Sequence, residues 1–321
     1  MRSLAGSRGA PLWPSPSRFR AYLAERFPVP VTAALAAAVA AGAYAAAQAD
    51  ALRAGAPLSV DGALAGGAVC AFLFLFLLRV FDEHKDFEHD AATRPDRPVP
   101  RGLVTLEQLR AVGAVAVAMQ VAIAAAAGPR AALLYLAVLA YSGLMFVEFF
   151  APAWLSARIG LYAVSHSAVM SVLAVALGAR YAASAVAPAD LAAYAAAMLP
   201  AFVAVDVLRK TWAPEAEIAG VDSYSRRLGV RGAGALGGAL LAASAVAGGW
   251  VGVRLGGGAG WLAGIAAVTA WGWIEIARFC RRPAASGHKR LETVAGVHAL
   301  AVAAGPAIAA AVAHGAVWGT P

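Results

Sequence analysis

The sequence predicts an all-α, polytopic membrane protein with about nine transmembrane helices, and three observations carry that prediction. The first is composition: of 321 residues, 61% are hydrophobic and only 14% charged, with a mean hydropathy of +0.69, values outside the range of soluble domains. The second is run length. Crossing ~30 Å of hydrocarbon takes ~20 apolar residues, and nine such runs occur: Val31 to Leu52, Leu64 to Phe81, Leu106 to Ala127, Ala131 to Phe149, Ile159 to Tyr181, Leu191 to Leu208, Ala233 to Val253, Trp261 to Phe279 and Val294 to Val317. The third is charge placement. With a cytoplasmic N-terminus, 22 of the 26 Lys and Arg fall on the inside and only Arg53, Arg130, Arg180 and Arg254 on the other side. One missed span would scramble that bias, so it supports both the count and the orientation. The net charge of +8 therefore reads as topology and attraction to anionic lipid, with no nucleic-acid partner. An integral protein of a bacterial inner membrane is the expected setting.

Residues 1–30 form the N-terminal segment and 31–317 the membrane domain. Pro11, Pro14 and Pro16 interrupt a stretch of scattered arginines, after which Arg18 to Phe27 reads either as a short amphipathic surface helix or as a disordered basic tail. Pro28 and Pro30 precede the first apolar run, which is read as a retained span rather than a cleaved signal. That span is rich in Ala and Gly and suits close helix packing. Cys70 and Cys280 lie in spans remote from each other, and no disulfide is expected.

The second span runs without a helix breaker into Asp82, Glu83, Asp86, Glu88 and Asp90. Asp82, Asp86 and Asp90 are four residues apart, so a continuing helix stacks them on one face. Bare carboxylates so placed repel one another unless a cation joins them, and hard oxygen ligands at this spacing suit Mg²⁺, which completes its shell from water and substrate phosphates. The basic turn that follows, Arg94-Pro-Asp-Arg97-Pro-Val-Pro-Arg101-Gly, ends the helix and supplies guanidiniums for phosphate oxygens.

These residues resemble the first aspartate-rich motif of the UbiA superfamily of intramembrane prenyltransferases, Asn-Asp-x-x-Asp-x-x-x-Asp followed by Arg-Pro-(Ile/Val)-Pro-x-Gly. Asp82 stands at the Asn position and Glu83 at the first Asp, which marks a divergent branch that keeps oxygen ligands. The resemblance implies nine helices around a central cavity, with two acidic motifs on the cytoplasmic side that bind Mg²⁺ and an isoprenyl diphosphate. It assigns Asp82, Glu83, Asp86 and Asp90 to the first metal site and Arg94, Arg97 and Arg101 to the diphosphate.

In the fourth span, Tyr141-Ser142 is followed by Phe146 and Val147 where many relatives place a Lys, with Glu148 just beyond. Glu148 either faces water or enters the cavity. Tyr141, Phe146 and Phe149 either pack or line a lipid-tail tunnel. In the fifth span, His166 is open to two readings, a hydrogen-bonded packing residue or a contact for a polar acceptor. The sixth span ends at Asp206, Arg209 and Lys210, and the loop beyond occupies the place of the family's second acidic motif, Asp-x-x-x-Asp followed by Gly. Gly220 and Gly229 keep its spacing, while Glu215, Glu217 and Asp222 are the candidate ligands in a shifted register. Arg209 and Lys210 are candidate diphosphate contacts. The last basic loop, Arg278 to Arg290, reads as a membrane-surface anchor.

By resemblance, the expected activity is Mg²⁺-dependent transfer of an isoprenyl group from its diphosphate to an aromatic or other lipophilic acceptor, with membrane lipid around it. Two alternatives remain open at this level: a terpene cyclase of the same superfamily, and a transporter of divalent cations or lipid. A transporter calls for ionisable groups near the bilayer midplane, whereas the clusters here lie at one face.

Overall fold

The computed structural model describes residues 11–181, 188–218 and 220–319. The described helices are α1 (Pro16–Arg26), α2 (Val29–Ala47), α3 (Ala49–Arg53), α4 (Gly62–Lys85), α5 (Phe87–Thr93), α6 (Leu106–Ala126), α7 (Pro129–Phe146), α8 (Pro152–Ser156), α9 (Ile159–Tyr181), α10 (Pro188–Arg209), α11 (Tyr224–Arg254), α12 (Ala259–Arg281) and α13 (Ala285–His314). Among the described residues, nine helices are long and apolar enough to cross a membrane: α2, α4, α6, α7 and α9 to α13. The protein is a polytopic integral membrane protein, as its composition requires. Arg2 and Arg8, the first residues of the N-terminal segment and the Arg180 side chain lie outside the described residues.

Helix ends depart from the apolar windows where polar groups intervene. The first span stops at Ala47 because the Gln48 side chain leaves the helix axis to bond Ser59 in both directions, Nε2 to Ser59 O at 3.1 Å and Ser59 N to Oε1 at 3.0 Å. The remainder of the expected run becomes α3. The last span begins at Ala285 rather than Val294, since the helix continues beyond the hydrocarbon, and ends at His314 rather than Val317. Gly315, at φ 72°, then turns the chain so that β2 (Ala316–Trp318) pairs in parallel with β1 (Leu58–Val60). A two-stranded element thus joins the otherwise all-α chain. In α11 the Ser223 Oγ accepts from Arg226 N at 3.0 Å to start the helix, which kinks at Gly229 where φ is 69°.

The segment read as either helix or tail is a helix that packs. Tyr22 of α1 is fully buried, and Phe27 meets Phe72 and Phe76 of α4 edge-on at ring distances of 5.3 and 5.4 Å. This aromatic contact docks α1 against the end of α4 that carries the acidic residues.

Small residues let the central helices approach closely. Helix α2 packs on α4, α9, α10 and α13 through a face of Ala and Gly. At Gly42 an added Cβ would stand 2.1 Å from Ala303 O and 2.5 Å from Tyr194 Oη. That tyrosine donates to Ala303 O at 3.0 Å and lies 3.2 Å from Val39 O, bracing three helices around one buried hydroxyl. At the opposite end of the bundle from the acidic residues, buried Asp190 is held by Arg53 Nη1 at 2.9 Å and Arg254 Nε at 2.7 Å. Two of the four basic residues expected on that side are therefore ion-paired there. Gly42→Ala is expected to destabilise the bundle by ~1–3 kcal/mol through overpacking, seen as a lowered midpoint of thermal unfolding in detergent.

Candidate active site

The C-terminal ends of α4 and α10 and the start of α13 meet at one end of the bundle and enclose two adjoining cavities. The inner one, ≈ 480 Å³, is bounded by α4, α7, α9 and α10; the outer one, ≈ 560 Å³, lies between α5, the loop after α10 and α13. Asp86, Arg97, Arg209 and Lys210 line both, so they form the junction. The inner cavity is lined mostly by charged and polar side chains, with Leu78, Phe81, Met145 and Phe146 as its apolar members.

Asp82 lines the inner cavity and Asp86 both. Asp86 separates α4 from α5, yet the ladder continues through it: Asp86 N bonds Asp82 O at 2.9 Å and Asp90 N bonds Asp86 O at 2.8 Å. The three aspartates therefore keep their helical stripe. Their partners differ. Asp82 Oδ2 is 3.4 Å from Arg79 Nη1, and Asp90 is bound tightly by Arg97. Among the described residues, Asp86 has no ion-pair partner. Burial, with Asp82 and Asp90 nearby, pushes its carboxyl above the ordinary carboxylate value. Glu83 turns away from this stripe: its side chain is buried against α1, with Oε1 accepting from Arg26 Nε at 2.7 Å.

The facing wall comes from the end of α10. Asp206 lines the inner cavity and is enclosed by Lys210 Nζ at 3.0 Å, Arg209 Nη2 at 3.1 Å and the Tyr224 hydroxyl at 3.0 Å. The structure does not gather Glu215, Glu217 and Asp222 into a second cluster. Glu215 is exposed on a 3-10 turn, and Glu217 accepts from Ser223 at 2.8 Å and Ser225 at 2.7 Å, which staples the loop. Asp222 lines the outer cavity but is bidentate to Arg227, whose guanidinium holds its carboxyl below the usual range. Asp206 is thus the carboxylate at the end of α10 that shares the inner cavity with Asp82, a candidate that the loop-centred reading missed. Its signal was present in the sequence: Asp206 and Lys210 stand at Asp-x-x-x-Asp spacing, with a lysine in the last place.

Arg94 and Arg97 reach the cavities, whereas Arg101 binds Glu25 of α1 at 2.6 Å and so fastens that helix instead. Tyr141 lies beside the site, donating to Ser165 O at 2.7 Å, and His166 lines the inner cavity with its ring stacked on Tyr162 at 3.9 Å. Glu148 lines neither cavity but is partly buried against Lys85, Tyr162 and His166, which line the inner one. Its carboxylate contacts Lys85, accepts from Tyr162 at 3.0 Å and approaches His166 Nε2 to 3.3 Å. Glu148, Phe149 and Phe150 are successive non-glycine residues at φ 50°, 51° and 59°. Such backbone costs about 1–3 kcal/mol per residue, which the three polar contacts of Glu148 help to offset.

The donor set fits a hard divalent cation on the α4 side. Asp82 and Asp86 share a face and a cavity, and among the described residues Asp86 makes no direct ion pair. Among the described residues no group of three or more His, Cys, Asp or Glu is placed to hold a metal ion by itself, so a cation here would have to take its remaining oxygens from water and phosphate. The α10 side does not fit one in the same way, because Lys210 and Arg209 already neutralise Asp206.

A profile of the UbiA prenyltransferase family matches residues 29–297. The chain belongs to the UbiA prenyltransferase family. It is accordingly a membrane-embedded prenyl-group transferase, and the divergent first motif at Asp82 and Glu83 lies within the matched region. A solved structure, described as giving insight into digeranylgeranylglyceryl phosphate synthase in membranes, superposes with a TM-score of 0.61 over 92% of this chain and 99% of that one, at 13% identity. At such identity the likeness speaks for the fold. No curated protein matches the chain.

A carboxyl whose pKa is raised by folding costs stability once it ionises, so the cost of Asp86 grows as pH rises above ~4. In EDTA, Asp86→Asn is expected to raise the unfolding midpoint at pH 7, with the gain vanishing toward pH ~4. Added Mg²⁺ is expected to stabilise the parent protein and not the variant. Scanning fluorimetry in detergent reads both effects.

Proposed function

We propose that this chain moves an isoprenyl group from an isoprenyl diphosphate to an aromatic or other lipophilic acceptor, with Mg²⁺ as its metal and its acidic face toward the cytoplasm. The observation that supports this most is the junction of the two cavities, where Asp86, Arg97, Arg209 and Lys210 stand beside an inner chamber whose otherwise charged and polar lining includes Leu78, Phe81, Met145 and Phe146. A molecule with a polyanionic head and a hydrocarbon chain suits that mixed lining. Membership in an enzyme family also removes the transporter reading.

The chain's residues account for the steps. Arg94, Arg97, Arg209 and Lys210 hold the diphosphate and stabilise the charge it gains as the allylic carbon–oxygen bond breaks. Asp82 and Asp86 would hold a divalent cation, which when bound would further neutralise phosphate oxygens. Leu78, Phe81, Met145 and Phe146 hold the first isoprene units and keep water from the allylic cation. Phe81 and Phe146, with ring centroids 4.8 Å apart, place aromatic surface in the same chamber, where it can stabilise a cation. An electron-rich carbon of the acceptor then attacks, the new carbon–carbon bond forms, and the acceptor loses its proton.

Purified protein incubated with Mg²⁺, allylic diphosphates of several lengths and aromatic acceptors tests the proposal. Diphosphate release that requires both Mg²⁺ and acceptor is expected, with losses of about 10²-fold or more in Asp86→Ala and about 10-fold in Arg97→Ala. A cyclic hydrocarbon formed without acceptor would replace transfer with cyclisation.

A further inference from the structure

Away from the catalytic cavities, unpaired positive charge is concentrated where α12 passes into α13. A pocket of ≈ 420 Å³ is lined there by Arg278, Arg281, Arg282, Arg290, Ser286 and Gly287. One carboxylate shares it: Glu275, whose Oε1 is 2.5 Å from Arg278 Nη1. Among the described residues no carboxylate pairs with Arg281, Arg282 or Arg290. Guanidiniums gathered around a concavity repel one another, and an anion inside it converts that repulsion into several charge-assisted hydrogen bonds.

A second observation says what kind of anion. Trp271, Ile274 and Arg278 follow one another on α12 at helical spacing, and all three are exposed, Trp271 and Ile274 at 38% and 50%. Because α12 is long and apolar enough to span the membrane, this stripe runs from hydrocarbon level to the arginines. A ligand on it meets apolar surface below and fixed positive charge above. The pocket is also separate from the site of chemistry. Ser286, Gly287 and Arg290 line it, while Ala285, His288 and Glu292, on the other side of the first two turns of α13, line the outer catalytic cavity.

We propose that this pocket binds the phosphate of an anionic phospholipid, with an acyl chain along Trp271 and Ile274. The arginines then act as a defined lipid site in addition to any diffuse attraction to the bilayer surface. The first turn of α13 is a wall common to both pockets, so the bound headgroup steadies one side of the outer cavity.

The test uses the full chain in neutral detergent, titrated with phosphatidylglycerol, phosphatidylcholine or inorganic phosphate, with retained lipid counted by native mass spectrometry. Phosphatidylglycerol is expected to be retained over phosphatidylcholine and to resist competition by phosphate. Its affinity should fall about fivefold for each arginine removed in Arg281→Ala, Arg282→Ala and Arg290→Ala combined. A control losing the same charge elsewhere, at Arg20, Arg110 and Arg231, should bind as the parent does. Should the triple variant not purify, Arg281→Gln and Arg290→Gln singly carry the same expectation. Equal loss in both triple variants, equal retention of phosphatidylcholine, or displacement by phosphate alone would each overturn the proposal.

Discussion

Two carboxylates at the end of an apolar helix set the terms for the charged end of this bundle. Asp82 and Asp86 share a helical face, and at such spacing like charges in a partly buried setting repel by roughly kilocalories rather than tenths. Arg79 offsets part of that at Asp82, and Arg97 is already committed to Asp90. Asp86 is left with its negative charge at the junction of both cavities. The facing wall is built the other way round. There Asp206 is the enclosed group, and Lys210, Arg209 and Tyr224 surround it. The mouth therefore has an acidic side that wants a cation and a basic side that wants an anion, which is the polarity a metal-bound diphosphate supplies.

The bundle beneath is what allows these ends to meet. Alanine and glycine on α2 bring α10 and α13 close enough for Tyr194 to reach backbone carbonyls of two neighbours, so the helices are located by contact at their backbones rather than by interlocking large side chains. Ion pairing at Asp190 closes the opposite end of the bundle. The large aromatic side chains are used differently. Phe27, Phe72 and Phe76 dock α1 beside the acidic helix end, and Phe81 with Phe146 lines the inner chamber. Lys85 and Glu148 tie α4 to the left-handed segment after α7, which shapes that chamber at a local backbone cost.

Much of the fold was legible because hydrocarbon imposes a length and a charge rule on any chain that crosses it. Nine apolar runs with basic residues on alternate sides identified the nine long apolar helices found among the described residues, though windows of hydropathy placed the last one's start late. The first acidic stripe was equally legible, since its members lie within one helical stretch and their spacing alone puts them on one face. The second was not. Glu215, Glu217 and Asp222 are near one another in sequence, but local hydroxyls and Arg227 claim the last two, while Asp206 lies before the loop, in the last turn of α10, and lines the inner cavity. Likewise, nothing in the spacing of Arg94, Arg97 and Arg101 indicates that the third would be taken by Glu25 from a helix far away in the chain.

What the sequence determined by itself was the solvent the chain lives in, the membrane-spanning helices found among the described residues, and the one carboxylate stripe generated by helical periodicity, because each follows from local composition and spacing. Which charges face one another across the cavity, which are spent on ion pairs, and where an arginine pocket opens beside the catalytic one were decided only by tertiary structure. Those outcomes depend on contacts between helices distant in sequence, and a charged side chain takes whichever partner the packing of the bundle brings within reach.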